Sequence, residues 1–185
     1  MEIIDLPTGN DELIHEAAQL LVEGFRTHWP NAWPDLESAL EEVNDSLSQD
    51  RISLLAMNDN SKVVGWIGAI PEYDGHAWQL HPLVVHPLHQ GMGIGRLLVQ
   101  ELEARVGQMG GTTIYLGTDD EDSMTSLADI DLYPNVFQHI AEIKNLKRHP
   151  YQFYQKLGYV IVGVIPNANG PGKPDILMAK RVMVE

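Results

Sequence analysis

Residues 78–96 have the sequence Trp-Gln-Leu-His-Pro-Leu-Val-Val-His-Pro-Leu-His-Gln-Gly-Met-Gly-Ile-Gly-Arg and predict a strand, a glycine-rich turn and the start of a helix. The strand is indicated by a short apolar, β-branched run at Leu80 and residues 83–85. The helix is indicated by apolar residues at steps of three and four, namely Ile94, Leu97, Leu98, Leu102 and Val106. This order places the glycines directly at the N-terminus of a helix.

The glycine-rich turn allows two interpretations. Unpaired N–H groups at a helix N-terminus converge with the positive end of the helix dipole and can bind a phosphate or pyrophosphate. Glycine also allows the ligand to approach the backbone closely. The spacing is not that of a Walker loop, because no Lys-Ser/Thr follows Gly95, and the third glycine of Gly-x-Gly-x-x-Gly is missing. A turn that only needs positive φ angles therefore remains an equal alternative.

The composition predicts one globular domain over residues 1–185. The chain has 185 residues, of which 44% are hydrophobic, and it contains no cysteine. This length suffices for one domain with a substantial core. The absence of cysteine excludes disulfides, thiolate metal sites and a cysteine nucleophile. The first residues lack the basic flank and apolar core of a signal peptide, and no apolar run approaches membrane-spanning length, so we expect a cytoplasmic protein.

The charge of the chain restricts the partners that we expect. Twelve Lys and Arg against 26 Asp and Glu give a net charge of −14, which argues against nucleic acid or an anionic membrane as a partner. A negative cleft would accelerate the encounter with a polycationic substrate, although an acidic surface also serves solubility alone. His86 and His89 have a ligand-like spacing, but without cysteine or a clustered acid we expect no metal.

The remaining patterns predict alternating strands and helices. Helices are predicted over residues 11–27, with Asn10 or Asp11 as the cap, and over residues 35–47, 132–146 and 151–157. Strands are predicted over residues 2–5, 51–57, 62–73, 77–85, 112–117, 159–166 and 175–182. The early strands form a meander, whereas the strand–helix–strand unit after residue 77 requires a parallel, right-handed crossover. The predicted sheet is therefore mixed.

Two motifs resemble the GNAT superfamily of N-acetyltransferases. Gln90-x-x-Gly93-x-Gly95 resembles its acetyl-CoA pyrophosphate loop, and Phe153-Tyr-Gln-Lys-Leu-Gly-Tyr159 resembles its closing motif. Longer strings at residues 65–71, 80–85, 113–120 and 161–170 resemble the chromosomal, enterococcal-type aminoglycoside 6'-N-acetyltransferases. The resemblance implies an α/β (α+β) fold and a homodimer. The fold would be a single GNAT domain with a mixed, mostly antiparallel sheet of six to seven strands, flanked by helices, whose splayed strands form the CoA groove.

The resemblance also implies a reaction and a set of residues that bind the co-substrate. Acetyl-CoA would donate its acetyl group directly to the 6'-amine of an aminoglycoside, a polycationic small molecule, and the activity would confer antibiotic resistance. Pantetheine would pair with the backbone of Leu83, Val84 and Val85, and the Leu83 N–H would polarise the thioester carbonyl. Tyr154 would be the general acid or the hydrogen-bond donor to the thiolate. The residues that would hold the pyrophosphate are Gln90, Gly91, Met92, Gly93, Ile94 and Gly95.

Four residues match family positions that border the acceptor site: Trp29, Tyr73, Gln79 and Asp122. Carboxylates and an aromatic wall are the expected complement to a ligand with several ammonium groups. Asp122 belongs to an acidic stretch, residues 118–131, which we expect either to line a cation-binding rim or to be a solvated surface loop.

Position 79 departs from the resembling enzymes, which have Trp-Glu-Leu-His-Pro with the glutamate near the reacting amine. Gln79 accepts a hydrogen bond but cannot accept a proton at neutral pH. The amine proton would instead pass through water to His81, to a loop carboxylate, or directly to solvent. The closing motif departs as well. Lys147 stands where the family has an asparagine that contacts pantetheine, and Pro150 stands where the family has an alanine.

Three functions follow from these observations. The first is aminoglycoside 6'-N-acetylation. The second is acetyl transfer to a polyamine, a small metabolic amine or a protein lysine, an alternative that Gln79 supports. The third is a CoA-binding regulatory module without turnover, against which Tyr154 and the glycine loop argue. The sequence favours the first, because the resemblance extends through strings outside the catalytic motifs.

Overall fold

The computed structural model describes residues 1–182, so residues 183–185 of the predicted domain lie outside the described range. The strands are β1 Glu2–Asp5, β2 Ile52–Met57, β3 Val63–Glu72, β4 Ala77–Val85, β5 Thr113–Asp119, β6 Val160–Ile165 and β7 Asp175–Arg181. The α-helices are α1 Asp11–Phe25, α2 Leu36–Asp45, α3 Ile94–Gln108, α4 Val136–Ala141 and α5 Tyr151–Lys156. Short 3₁₀ turns occur at Tyr73–Gly75 and Pro87–His89.

The predicted fold class is confirmed. The strand order β1-β2-β3-β4-β5-β7-β6 makes one open, mixed sheet of seven strands that helices flank. The chain forms two compact units, residues 1–114 with Val182, and residues 115–181. That residues 1–185 act as a single domain remains a prediction. No helix within residues 1–182 is long and apolar enough to cross a lipid bilayer.

The core of the first unit lies between the β1–β4 meander and helices α1 and α2. Asn10 caps α1 by accepting the Leu13 N–H at 3.2 Å, and Asp35 caps α2 by accepting the Ser38 N–H at 2.9 Å. Both helices bury an apolar stripe that begins a few residues after its cap. The buried members of this core include Ala17, Leu21, Ala39, Val43, Leu55, Trp66 and Val84.

Buried and half-exposed residues alternate along strand β4. Trp78, Leu80, Pro82 and Val84 are buried, whereas the odd-numbered residues 77–85 are partly exposed. The β3–β4 register shifts between Ile67 and Ala69. A Cβ on the intervening glycine, at position 68, would lie 2.5 Å from the carbonyl oxygen of His81. Only glycine therefore permits β3 to approach β4 closely at this irregularity, which lies directly at His81.

In the second unit the predicted helix over residues 132–146 is wrong, because only Val136–Ala141 is helical. The N–H groups of Leu146 and Lys147 both donate to the Met124 carbonyl, at 2.8 and 3.1 Å. Residues 125 and 145 form an isolated antiparallel bridge. Pairing with a distant segment thus uses the backbone groups that a longer helix would need. The other predicted helices and strands agree with the structure to within about two residues at each end.

Candidate active site

The turn before α3 presents backbone N–H groups to solvent. Gly91 has φ +78° and Gly93, the N-cap of α3, has φ +88° and ψ 0°, conformations that strongly favour glycine. No side chain caps this helix. The N–H groups of residues 91–93 make no hydrogen bond with any other residue in the range 1–182. Nothing lies within 4 Å of a Cβ added at Gly91 or Gly93. The loop is therefore an open group of backbone donors that fits a pyrophosphate.

The side chains of this loop have different roles from its backbone. The Gln90 amide donates to the Val85 carbonyl at 3.2 Å and so ties the loop to the end of β4. The Ile94 side chain is buried, so this residue can offer only its N–H group to a ligand. Met92 is exposed. The predicted pyrophosphate residues are thus adjacent, as expected, and they supply donors from the main chain.

Three predicted residues stand at every second position of β4. Gln79, His81 and Leu83 are all half-exposed, but the register irregularity opposite Gly68 lies between the pairs Ala69–Leu80 and Ile67–Leu83, so the alternation of faces is interrupted between His81 and Leu83. The Val84 side chain is buried near Gly24 of α1, so only its backbone is available to a ligand. Gln79 and the candidate proton acceptor His81 therefore stand two residues apart on β4, and the predicted thioester-polarising residue Leu83 follows just after the irregularity.

His81 has two partners that the sequence analysis did not identify. Its Nε2 atom lies 3.6 Å from Glu42 Oε1, and its ring centroid lies 5.8 Å from that of Trp33. The contact with His81 is the largest cause that lowers the pKa of Glu42 from its ordinary value. Burial opposes this shift, and the charge of Arg51 adds to it. No local motif reveals the pair, because the two residues lie on different elements.

Trp29 and Tyr73 occupy different environments. Trp29 follows the end of α1, where its ring lies 5.7 Å from Phe25 and 5.6 Å from His28. Phe25 also contacts Trp33 at 4.6 Å, edge to face, so an aromatic cluster extends from Trp29 to the His81 side of β4. Tyr73 lies in the β3–β4 turn and its side chain is 76% exposed. The structure thus connects Trp29 to the β4 site through packed rings.

In the second unit, Tyr154 is a buried residue of α5. Burial raises the pKa of the Tyr154 phenol above its ordinary value, so its hydroxyl remains protonated at neutral pH and can donate. Its ring packs against Phe153 and Tyr159 at centroid distances of 5.0 and 5.7 Å. Helix α5 follows Pro150, and Gly158, with φ +93°, lies just beyond its end.

The acidic stretch 118–131 is not a uniform rim. Asp120 is fully buried, and its carboxylate accepts the N–H groups of Met124 at 2.6 Å and Thr125 at 2.7 Å. This carboxylate organises the loop, so Asp120 cannot line a cation-binding surface. Asp122 is exposed, and its carbonyl accepts a hydrogen bond from the Lys147 ammonium at 3.0 Å.

The predicted absence of a metal concerns His86 and His89, whose Nδ1 atoms lie 3.5 Å apart. His86 Nε2 also lies 3.5 Å from Glu23. Among residues 1–182 no group of three or more His, Asp or Glu side chains is arranged to hold a metal ion.

Residues 15–133 match the model of the acetyltransferase (GNAT) family, and the chain belongs to this family. The structure is similar to that of an aminoglycoside 6'-N-acetyltransferase complexed with coenzyme A, with 46% identity, coverage of 99% of this chain and 98% of that chain, and a TM-score of 0.91. It is similar to the aminoglycoside 6'-N-acetyltransferase from Enterococcus faecium, with 46% identity, the same coverage and a TM-score of 0.88. It also resembles aminoglycoside 6'-acetyltransferase type Ii, with 39% identity, the same coverage and a TM-score of 0.74. No curated protein sequence matches the chain.

Proposed function

We propose that the chain is an acetyl-CoA-dependent N-acetyltransferase that acetylates the 6'-amine of aminoglycoside antibiotics by direct transfer and thereby confers resistance. The observation that carries this proposal is the 46% identity, over 99% of the chain, to an aminoglycoside 6'-N-acetyltransferase complexed with coenzyme A. The open N–H groups of the glycine loop support the use of a CoA thioester, because they fit a pyrophosphate.

Acetyl-CoA is held by main-chain groups in this proposal. The N–H groups of residues 91–95 bind the pyrophosphate at the start of α3, and Gln90 keeps this loop attached to β4. The backbone of residues 83–85 pairs with pantetheine as an added strand would. The Leu83 N–H polarises the thioester carbonyl and stabilises the oxyanion that forms on attack. No metal takes part.

The chemical step requires a neutral amine and a proton for the departing thiolate. The amine nitrogen attacks the thioester carbon, a C–N bond forms, and the C–S bond breaks. Tyr154 donates its hydroxyl proton, or a hydrogen bond, to the thiolate, a role that its buried and protonated state supports. Gln79 accepts a hydrogen bond from the amine. His81 is the candidate proton acceptor on the same strand face.

The acceptor is bound by charge and by aromatic surface. Trp29, Tyr73, Gln79 and Asp122 contact the aminoglycoside in this proposal, and the net charge of −14 favours its approach. The ammonium groups of the ligand complement exposed carboxylates such as that of Asp122, and the aromatic faces of Trp29 and Tyr73 provide cation–π contacts.

We further propose a single catalytic domain over residues 1–185 and a cytoplasmic homodimer that binds neither nucleic acid nor membrane. The edge strand β6 supports an interface between two copies, because Val160, Val162 and Ile165 are exposed on it. Phe137, on the neighbouring helix α4, is exposed as well. Burial of these apolar side chains against a second copy would remove them from water. Sedimentation of the V160K/V162K variant as a monomer would support this interface.

The proposed function is tested by thiol release from acetyl-CoA with kanamycin, tobramycin, spermidine and a lysine peptide as acceptors. A pair of aminoglycosides that differ only in an amine or a hydroxyl at the 6' position is the matched control. Turnover of the amine member alone is the expected result. The alternative is acetylation of a polyamine, a small metabolic amine or a protein lysine, which Gln79 favours because the carboxylate of the resembling enzymes is missing. Faster turnover of spermidine or peptide than of any aminoglycoside would overturn the drug assignment.

A further inference from the structure

Gln79 leaves the acceptor amine without the carboxylate that the resembling enzymes have at this position. An alkylammonium acceptor has no lone pair, so it must lose a proton before it attacks the thioester. Gln79 has an amide, which does not accept a proton at neutral pH. A titratable side chain near Gln79 and open to a ligand would satisfy the requirement. His81 is the titratable residue of β4, two positions from Gln79 and two from Leu83, and it is half-exposed.

The surroundings of His81 hold the imidazole in a defined orientation. The side chain is 40% exposed, whereas that of Glu42 is only 23% exposed, so the carboxylate lies behind the imidazole. Trp33 contacts the ring at 5.8 Å with an interplanar angle of 43°. The backbone of His81 is fixed by the close approach of Gly68 in β3. Helix α2, the connector before it and strand β3 thus all restrict this side chain.

The contact with Glu42 determines which nitrogen can act. Because Nε2 faces the carboxylate, a neutral imidazole places its proton on Nε2 and its lone pair on Nδ1. Nδ1 makes no hydrogen bond with another side chain or backbone group in residues 1–182. This nitrogen is therefore available to accept a proton from a ligand or from one bridging water.

The charge of Glu42 persists throughout the pH range in which an imidazole titrates. Its pKa is lowered chiefly by the contact with His81, and the charge of Arg51, which precedes β2, lowers it further. Besides His81, Arg51 is the group whose charge acts on the Glu42 carboxylate. An ionised carboxylate next to the ring stabilises the imidazolium that proton transfer forms. The same logic orients and supports the general base in many hydrolases, where a third group holds the base.

We propose that Glu42 is a positioning residue that holds His81 so that His81 Nδ1 accepts the proton of the acceptor ammonium, directly or through one water. This inference rests on the proposed function and assigns the base that Gln79 does not supply. In the balanced step the amine N–H bond breaks, the Nδ1–H bond forms, and the imidazolium later releases this proton to solvent. The thiolate gains the proton that Tyr154 donates, and Tyr154 regains a proton, through water, from the second N–H bond of the amine, which breaks after the C–N bond forms. Each turnover thus releases one proton overall.

The test compares Glu42→Gln with Glu41→Gln, an equal loss of charge one residue away on the exposed side of the same helix. We expect Glu41→Gln to behave as the wild type. In Glu42→Gln, kcat with kanamycin should fall about tenfold and KM should stay within about twofold, because a neutral amide stabilises the imidazolium less than a carboxylate does. The acid limb of the kcat/KM profile should move to lower pH by about one unit.

His81→Asn separates this role from a structural one. We expect it to lower kcat about 100-fold and to abolish the acid limb, and the double variant with Glu42→Gln to be no worse than His81→Asn alone, because the two residues act as a unit.

Three results would overturn the inference. One is an unchanged acid limb in His81→Asn, which also decides the question if Glu42→Gln does not fold. Another is a higher KM with unchanged kcat in Glu42→Gln, which would indicate substrate binding instead. The third is a wild type that turns over no amine, which would overturn the proposed function as well. If spermidine replaces kanamycin as the preferred acceptor, the drug assignment fails, and the same variants test His81 with spermidine.

Discussion

Substitution of Gly93 by alanine tests whether the loop before α3 binds CoA through its backbone. Gly93 has φ +88° and ψ 0°, and an added Cβ would meet nothing within 4 Å. The substitution therefore introduces backbone strain without a steric clash. Gly9, in the turn before α1, has φ +78° and is equally open. Gly9→Ala is thus a matched control for the strain alone.

The strain sets the size of both expected effects. An alanine in the left-handed region costs about 1–2 kcal/mol. In a chain of this length about 1 kcal/mol corresponds to about 2–4 °C in Tm, so both variants should unfold a few degrees below the wild type. If the loop of Gly93→Ala relaxes to a negative φ, its N–H groups turn away from the ligand. CoA must then restore the strained conformation, which weakens binding about 5- to 30-fold.

Isothermal titration with CoA and thermal unfolding with and without CoA measure the two effects separately. The expected pattern is a similar fall in Tm for both variants and a loss of CoA affinity in Gly93→Ala alone. Ligand stabilisation should be correspondingly smaller in that variant. Wild-type CoA affinity in a folded Gly93→Ala would refute the assignment of the loop. An equal loss of affinity in Gly9→Ala would show that the effect is global rather than local.

Two further predictions concern the second unit. Tyr154→Phe should lower kcat at least tenfold and leave CoA affinity within about twofold, because it removes a protonated donor. Tyr151 is also a buried tyrosine of α5, and the control Tyr151→Phe should match the wild type. An unchanged kcat in Tyr154→Phe would exclude the donor role. Burial, and then the charge of Asp119, raise the pKa of Asp175 from 3.8 to about 6. The folded state thus retains a proton that the unfolded chain loses between about pH 4 and 6, and wild-type stability falls as the pH rises through this window. Asp175→Asn cannot ionise and should not show this pH-dependent loss of stability. After a discount for solvent screening the loss is about 1 kcal/mol, so the Tm of the variant should exceed that of the wild type by about 2–4 °C at pH 7 and by little at pH 4. A Tm difference that is independent of pH would contradict this explanation.

Local pattern predicted the elements that local forces determine. The predicted bounds of β4, residues 77–85, agree with the structure, because the turn signal Asp74-Gly75 precedes the strand and its apolar run ends at Val85. The predicted helix over residues 132–146 is wrong for a non-local reason. The backbone of residues 144–147 pairs with residues 124–126 instead of with its own preceding turn. Periodicity within one window contains no information about such a partner.

Charge patterns likewise could not predict which acidic side chains are buried. The acidic stretch 118–131 predicted either a solvated loop or a cation-binding rim, yet Asp120 is buried and satisfies two N–H groups of its own loop. The residue type determines the sign of a side chain's charge but not whether the side chain is buried. Burial distinguishes a carboxylate that can bind ligands from one that organises a loop. Asp122, two residues further on, is exposed and stays a candidate for contact with an ammonium group.

The candidate site has a part that local sequence predicts and a part that only the fold brings together. The sequence was sufficient to predict the place of its main-chain part, the glycine-rich loop at residues 90–95 before α3. That this loop binds a pyrophosphate stays a prediction. Its side-chain part depends on α2, which brings Glu42 to within 3.6 Å of His81, a residue 39 positions later. Judged from the sequence of β4 alone, Gln79 shows only that the site lacks a base at this position. Once α2 packs against the meander, the same strand has a histidine with a carboxylate behind it. The effect of an active-site substitution therefore depends on titratable neighbours that only the fold makes adjacent.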